Sequence, residues 1–187
     1  MSRTVLLPIA LLAVAVTSGC SMVAPRYSPS LENVQKLKDA SVQTTNVGAF
    51  ESTPTKENPK AISIRGSSLS SPYEGSYGNY LADALKQELS LAGKLAADAG
   101  IQVTGALQKN DINAGGFSTA SGDIAARFVV TRGGAVRYDQ IKSIHDEWES
   151  SFAGAVAIPR AQQRYPVMVQ KLLAALYADP AFLQALK

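Results

Sequence analysis

Residues 123–144 read DIAARFVVTRGGAVRYDQIKSI, two strand-forming runs on either side of Gly133-Gly134. A two-residue hairpin turn needs φ > 0 at its centre, which glycine adopts without steric cost. The stretch therefore predicts antiparallel strands over 123–132 and 135–144. Period two persists through Trp148, Ser150 and Phe152, so the second strand is expected to run on into HDEWESSF. Upstream, IQVTGAL (101–107) puts Ile101, Val103, Gly105 and Leu107 on one face and predicts a third strand. Gly115-Gly116 and the small residues at 118–122 read as a wide turn leading into the hairpin.

Around this sheet lie helices. Tyr77, Tyr80, Leu81, Ala84, Leu85, Glu88, Leu89 and Ala92 recur at helical spacing, with Ser76 placed to cap the start, Lys86 on the outer face and Gly93 to end it. Near the C-terminus Val167, Val169, Leu172, Leu173, Leu176 and Tyr177 form one face of another helix, with Pro166 at its start or kinking it. Asp179-Pro180 reads as N-cap and N1 of a last short helix. Towards the N-terminus, VQTTNVGAF (42–50) and ISI (62–64) suggest strands, and ESTPTKENPK (51–60) and the Gly/Ser-rich stretch 66–79 suggest loops. Leu31, Val34 and Leu37 suggest a short helix over 31–40, whereas SMVAPRYSPS (21–30) reads as a tether. A strand–helix–strand unit followed by a hairpin and a helix predicts an α+β fold. It is a single domain over 41–187, with one mixed, mostly antiparallel sheet and helices packed on one face. No internal repeat is visible.

The N-terminus has its own logic. Arg3 is the sole charge before residue 20, residues 5–16 read VLLPIALLAVAV, and Thr17, Ser18 and Gly19 are small. This is the pattern of a signal peptide over 1–19. Twelve apolar residues at 1.5 Å each reach about 18 Å, short of a bilayer core about 30 Å thick. The one cysteine of the chain, Cys20, follows at once. Alone it can form no internal disulfide, and a free thiol in an oxidising compartment is a liability.

Thr17-Ser18-Gly19-Cys20 after an apolar run resembles a bacterial lipobox, with Thr17 where leucine is usual. The resemblance implies cleavage between Gly19 and Cys20, a diacylglyceryl thioether on the Cys20 sulfur, and a fatty acyl chain such as palmitate on the new amino terminus. Residues 20–40 would then be a lipidated tether with a short helix. Two or three chains anchor stably where one binds marginally. Ser21, in place of aspartate, implies by the same resemblance sorting to the outer membrane of a Gram-negative cell, facing the periplasm. The body is similar to a small family of proteobacterial outer-membrane lipoproteins, through SPSLENVQKLKDA, RGSSLSSPY, YLADALKQELSLAG, HDEWESSFAGAVAIPRAQQ and YPVMVQKLLAALYADPAF. Chains of that family sometimes carry the label UDP-N-acetylglucosamine acyltransferase. Such enzymes are built on hexapeptide repeats with a histidine base, and this sequence has no six-residue period and a single histidine. The order of elements is also loosely similar to auxiliary lipoproteins of ABC-type transport systems.

Little in the chain points to catalysis. His145 is the lone histidine, so a His-cluster metal site is excluded and no metal or cofactor is expected. Asp146 beside it points to the opposite strand face, and no G-x-S-x-G elbow or phosphate-binding glycine loop occurs. Glu147 and Glu149 share a strand face, as paired acid–base carboxylates or as solvated residues, with Trp148 on the buried side. Tyr73, Tyr77 and Tyr80 line a groove or fill the core. Arg160 and Arg164 meet an acidic partner or lipid headgroup, or simply face water. The interspersed charges, net +3 overall, give no basic patch for nucleic acid. The expectation is a non-catalytic lipoprotein with a binding or assembly role in envelope maintenance or lipid transport. It is held to the membrane through Cys20 and has an envelope protein or lipid as partner. An acyltransferase acting on a nucleotide sugar and a purely structural envelope protein are the alternatives.

Overall fold

The computed structural model describes residues 20–187; the expected signal peptide, 1–19, and its cleavage at Gly19 lie outside the described residues. In chain order the elements are β1 (Ser21–Val23), α1 (Leu31–Asp39), β2 (Asn46–Glu51), β3 (Ile62–Ile64), β4 (Ser67–Ser70), α2 (Tyr77–Leu91), β5 (Ile101–Asn113), β6 (Thr119–Arg132), β7 (Ala135–Glu149), α3 (Gly154–Tyr177) and α4 (Pro180–Ala185). The fold is α+β, but with two mixed sheets where one was expected. A four-stranded sheet has the order β2-β5-β6-β7, with β2 parallel to β5 and the rest antiparallel. A three-stranded sheet has the order β1-β4-β3.

The hairpin forms as its glycines require. Gly133 and Gly134 take φ +56° and +81°, and Arg132 pairs with Ala135. Ala120, Ile124, Ala126, Phe128 and Val130 of β6 are buried on the face that packs against α3, whereas Arg127 on the opposite face is exposed. α2 packs on β2, and there Gly78 is indispensable: a Cβ would stand 2.2 Å from the Phe50 carbonyl oxygen. Both expected caps are present. Ser76 Oγ accepts from the Asn79 amide and Asp179 accepts from the Ala181 amide.

The strands are longer than their sequence patterns suggest. β5 continues from the expected 107 to 113 because a bulge between Leu107 and Lys109 resets the parity, so that Asn110 and Ile112 are the buried residues beyond it. The loop over 51–60 covers that bulge, with Asn58 Nδ2 donating to Leu107 O and Glu57 O accepting from the Asn110 amide. The wide turn expected over 118–122 is mostly strand, since β6 starts at Thr119; β7 stops at Glu149, leaving Phe152 outside it. α3 begins at Gly154, twelve residues before Pro166, and carries both Pro159 and Pro166 inside. Ala157, Ala161, Tyr165, Met168, Val169, Leu172, Leu173 and Leu176 make one unbroken buried stripe, and burial of that stripe offsets the two lost helix hydrogen bonds.

The largest correction concerns residues 21–30, expected to be a tether. Ser21–Val23 pairs in parallel with Ser68–Ser70 of β4, itself a strand inside the stretch read as a loop. Beyond β1, Ala24 and Tyr27 are buried. The segment is thus a strap fastened along the domain.

Candidate functional site

Cys20 is exposed, and its carbonyl accepts a 3.0 Å hydrogen bond from the Ser68 amide. The strap that follows is held at intervals by side chains from distant elements. Gln162 Nε2 donates to Val23 O, Tyr80 Oη to Pro25 O, and Gln170 Nε2 to Ser28 O. At its far end Glu88 of α2, fully buried, accepts from the Tyr27 hydroxyl (2.5 Å), the Ser30 amide (3.0 Å) and Asn33 Nδ2 (3.2 Å). Burial pushes the Glu88 carboxyl up, with these three donors only partly opposing it. The chain is therefore structured from its first described residue, with no slack between Cys20 and the domain.

Next to Cys20 lies a cluster the sequence reading missed. Arg65 and Gly66, at φ +49° and +80°, make the two-residue turn joining β3 to β4. From that turn the Arg65 guanidinium reaches into two loops. Nε donates to Ala114 O and Nη2 to Gly116 O in one; Nη1 donates to Phe152 O and Nη2 also to Ser151 O in the other. The Ser150 amide donates to Ser118 O, tying the loops directly. They carry Phe117 and Phe152, whose rings stack with centroids 5.1 Å apart and an interplanar angle of 14°. Arg65 carries no periodicity and fits no motif, so nothing in the sequence marks it as a clamp.

The residues singled out from the sequence are distributed elsewhere. His145 lies on the exposed outer face of the sheet, its Nδ1 2.9 Å from Asp123 and its Nε2 3.3 Å from Glu147. The hydrogen bond to Asp123, then that to Glu147, raises its pKa. Glu149 also points outward, and Trp148 between the two glutamates is half-buried, as the strand alternation requires. Asp146, on the inner side, is 2 % exposed and binds Arg164 through both carboxylate oxygens and Lys171 through one. Burial, the largest single influence on Asp146, opposes its ionisation. Arg164 and Lys171 together outweigh it and hold the carboxyl below the usual carboxylate range. Arg164 also lies 5.9 Å over the Trp148 ring, and with Pro159, Arg160, Gln163 and Val167 these two side chains line a shallow groove of about 380 Å³. Arg160 is exposed, with Glu149 O 3.4 Å from its Nη1.

Tyr77 and Tyr80 line no groove. They are buried against Tyr165, at 4.9 and 5.0 Å between centroids, and their hydroxyls donate to Leu69 O and Pro25 O. Tyr73 is half-buried beneath Arg26.

The architecture has counterparts among solved structures. Protein XCC0632 from Xanthomonas campestris, described under the family DUF330, superposes with a TM-score of 0.53 at 14% identity, covering 88% of this chain and 95% of that one. The hypothetical protein CT253 from Chlamydia trachomatis gives 0.50 at 11% identity over 78% and 99%. A Caulobacter crescentus protein with the provisional description of lipoprotein gives 0.46 at 12% over 83% and 98%. The first two likenesses are of fold alone. No family model matches the chain, and no curated protein matches it in sequence. Among the described residues no helix is long and apolar enough to cross a membrane.

Proposed function

We propose that this chain is a lipid-anchored protein of the outer membrane, facing the periplasm, with a non-catalytic binding or assembly role in the cell envelope. One observation carries the reading. Cys20, the one cysteine of the chain, is exposed and unpaired as the first described residue, three small residues after an apolar run of signal-peptide length. A sulfur there is open to the acylating enzyme, and the strap behind it transmits the anchor to the domain without slack. Ser21, exposed as the next residue, suits retention of the outer-membrane address. The likeness in order of elements to ABC-type auxiliary lipoproteins makes service to an envelope transport system the favoured role.

Labelling cells with a radioactive or alkyne-bearing fatty acid tests the anchor. The wild-type chain takes up label and sediments with outer membranes, and Cys20→Ser does neither. Uptake that survives Cys20→Ser refutes the anchor. The non-catalytic half has a separate test: an acyl transfer to a nucleotide sugar by the purified protein, abolished by His145→Ala, overturns it.

A further inference from the structure

The chain has five phenylalanines, seven tyrosines and one tryptophan, and the fold shelters all but two of their side chains wholly or in part. The exceptions are Phe117, 77 % exposed, and Phe152, 69 % exposed, and they are each other's stacking partners. The loops that carry them, with the starts of β6 and α3 that they lead into, read AGGFSTASG (114–122) and SSFAGAVAIP (150–159) and have no charged residue in nineteen positions. Val156, in the first turn of α3, adds a further partly exposed apolar side chain. Beneath the pair the guanidinium of Arg65 is spent on four backbone carbonyls, so this cation holds the tip together rather than decorating it.

This tip is at the Cys20 end of the molecule. Cys20 O accepts from the amide of Ser68, three residues from Arg65, and three residues span at most about 10 Å. We propose that the Phe117–Phe152 tip inserts into the lipid bilayer beside the acylated Cys20, giving the domain a second, side-chain contact that fixes its orientation on the membrane. The inference rests on the anchor reading above. A lipid surface is the occupant that suits the tip's chemistry. Two phenylalanines on loops without charged side chains offer apolar area that lacks the ionic groups of a typical protein interface. The strap also leaves the domain no length in which to drift from the membrane that holds its lipid.

The geometry supplies its own control. Val136, 59 % exposed beside the Gly133-Gly134 turn, lies at the other end of β7, and the thirteen residues from there to Glu149 span about 40 Å. In the full-length chain, matured in cells and therefore without a free thiol at Cys20, Ser118→Cys and Val136→Cys each take an environment-sensitive fluorophore. The purified acylated protein is reconstituted into phosphatidylethanolamine/phosphatidylglycerol vesicles containing lipid spin-labelled just below the headgroups. The expected result is a blue shift and loss of emission to the spin label at 118, with water-like emission at 136. Adding Phe117→Ser and Phe152→Ser returns 118 to water-like emission while acylation and vesicle binding stay intact. Water-like emission at 118 in acylated, vesicle-bound protein overturns the docking and leaves the anchor standing. A blue shift at 118 without quenching by the spin label, growing with protein density, assigns the tip to a second copy and also overturns it. Equal quenching at both positions means the domain lies on its side, with the same consequence. A chain that carries no acyl group and stays off the vesicles fails at the anchor, and takes the docking with it.

Discussion

Arg65→Ala removes one side chain and four hydrogen bonds, to the carbonyls of Ala114, Gly116, Ser151 and Phe152. A hydrogen bond from a charged donor contributes about 1.5–3 kcal/mol where water cannot replace it. Here Phe152 O is exposed and the other three acceptors are only partly sheltered, so water recovers most of the loss. The net weakening is about 2–4 kcal/mol, and it falls on the two loops rather than on the sheet below them. Because these loops open locally, the global unfolding midpoint should move little. The exchange rate of the amide that joins them, Ser150 N–H on Ser118 O, should rise by about 30- to 700-fold. Native-state hydrogen exchange read by NMR measures this, with the Tyr138 amide at the far end of β7 as the unaffected reference. Arg65→Lys keeps the charge but not the planar fork that reaches four acceptors, so its exchange rate should lie between wild type and alanine. If the Ser150 amide exchanges equally in all three proteins, the clamp does not order the tip and the reasoning fails.

Other perturbations test the interior. Asp146→Ala leaves Arg164 and Lys171 without their shared carboxylate; both cations can reach water, so the cost is about 2–4 kcal/mol in urea unfolding. The depressed folded pKa of Asp146 places its contribution above the ordinary carboxylate pKa, with loss as pH falls through the folded value, and Asp146→Ala should flatten that acid limb. Glu88 has the opposite sign. With its folded pKa raised, wild-type stability is greatest below the ordinary glutamate pKa and declines as pH rises to the folded value. Glu88→Gln keeps an oxygen for Tyr27, Ser30 and Asn33 and removes that decline; parallel curves for the two proteins between pH 4 and 8 rule the assignment out. Gly78→Ala drives a Cβ to 2.2 Å from Phe50 O and should lower stability by about 1–3 kcal/mol, whereas an unchanged unfolding midpoint denies the close packing of α2 on β2.

The parts of the fold that were legible are those whose signal is local and periodic. The Gly133-Gly134 hairpin, the Ser76-capped α2 and the Asp179-capped α4 each depend on residues within a few positions of one another. The misreadings share a cause as well. β5 was truncated where its bulge shifts the alternation from odd to even positions. β4 is a run of serines around Leu69 that becomes a strand because β1 and β3 pair on either side of it. A helix expected to start or kink at Pro166 in fact runs from Gly154, because Ala157, Ala161 and Tyr165 extend its buried stripe with side chains too small or too polar to announce it, while Arg160 and Gln163 between them face outward.

For function, what the sequence by itself determined is the pattern from which the address is proposed. An apolar run, three small residues and a lone cysteine are, on the proposed reading, a message for enzymes that act on the extended chain, and such a message is complete in one dimension. Only the tertiary structure decided how that address meets the domain. The strap over 21–30 depends on hydrogen bonds to residues 70, 80, 88, 162 and 170, none of which its own composition reveals. The aromatic tip arises likewise, from two phenylalanines 35 positions apart drawn together by an arginine at least 52 positions away from either. Such contacts depend on where the chain returns in space, and a polypeptide written as a line does not contain that distance.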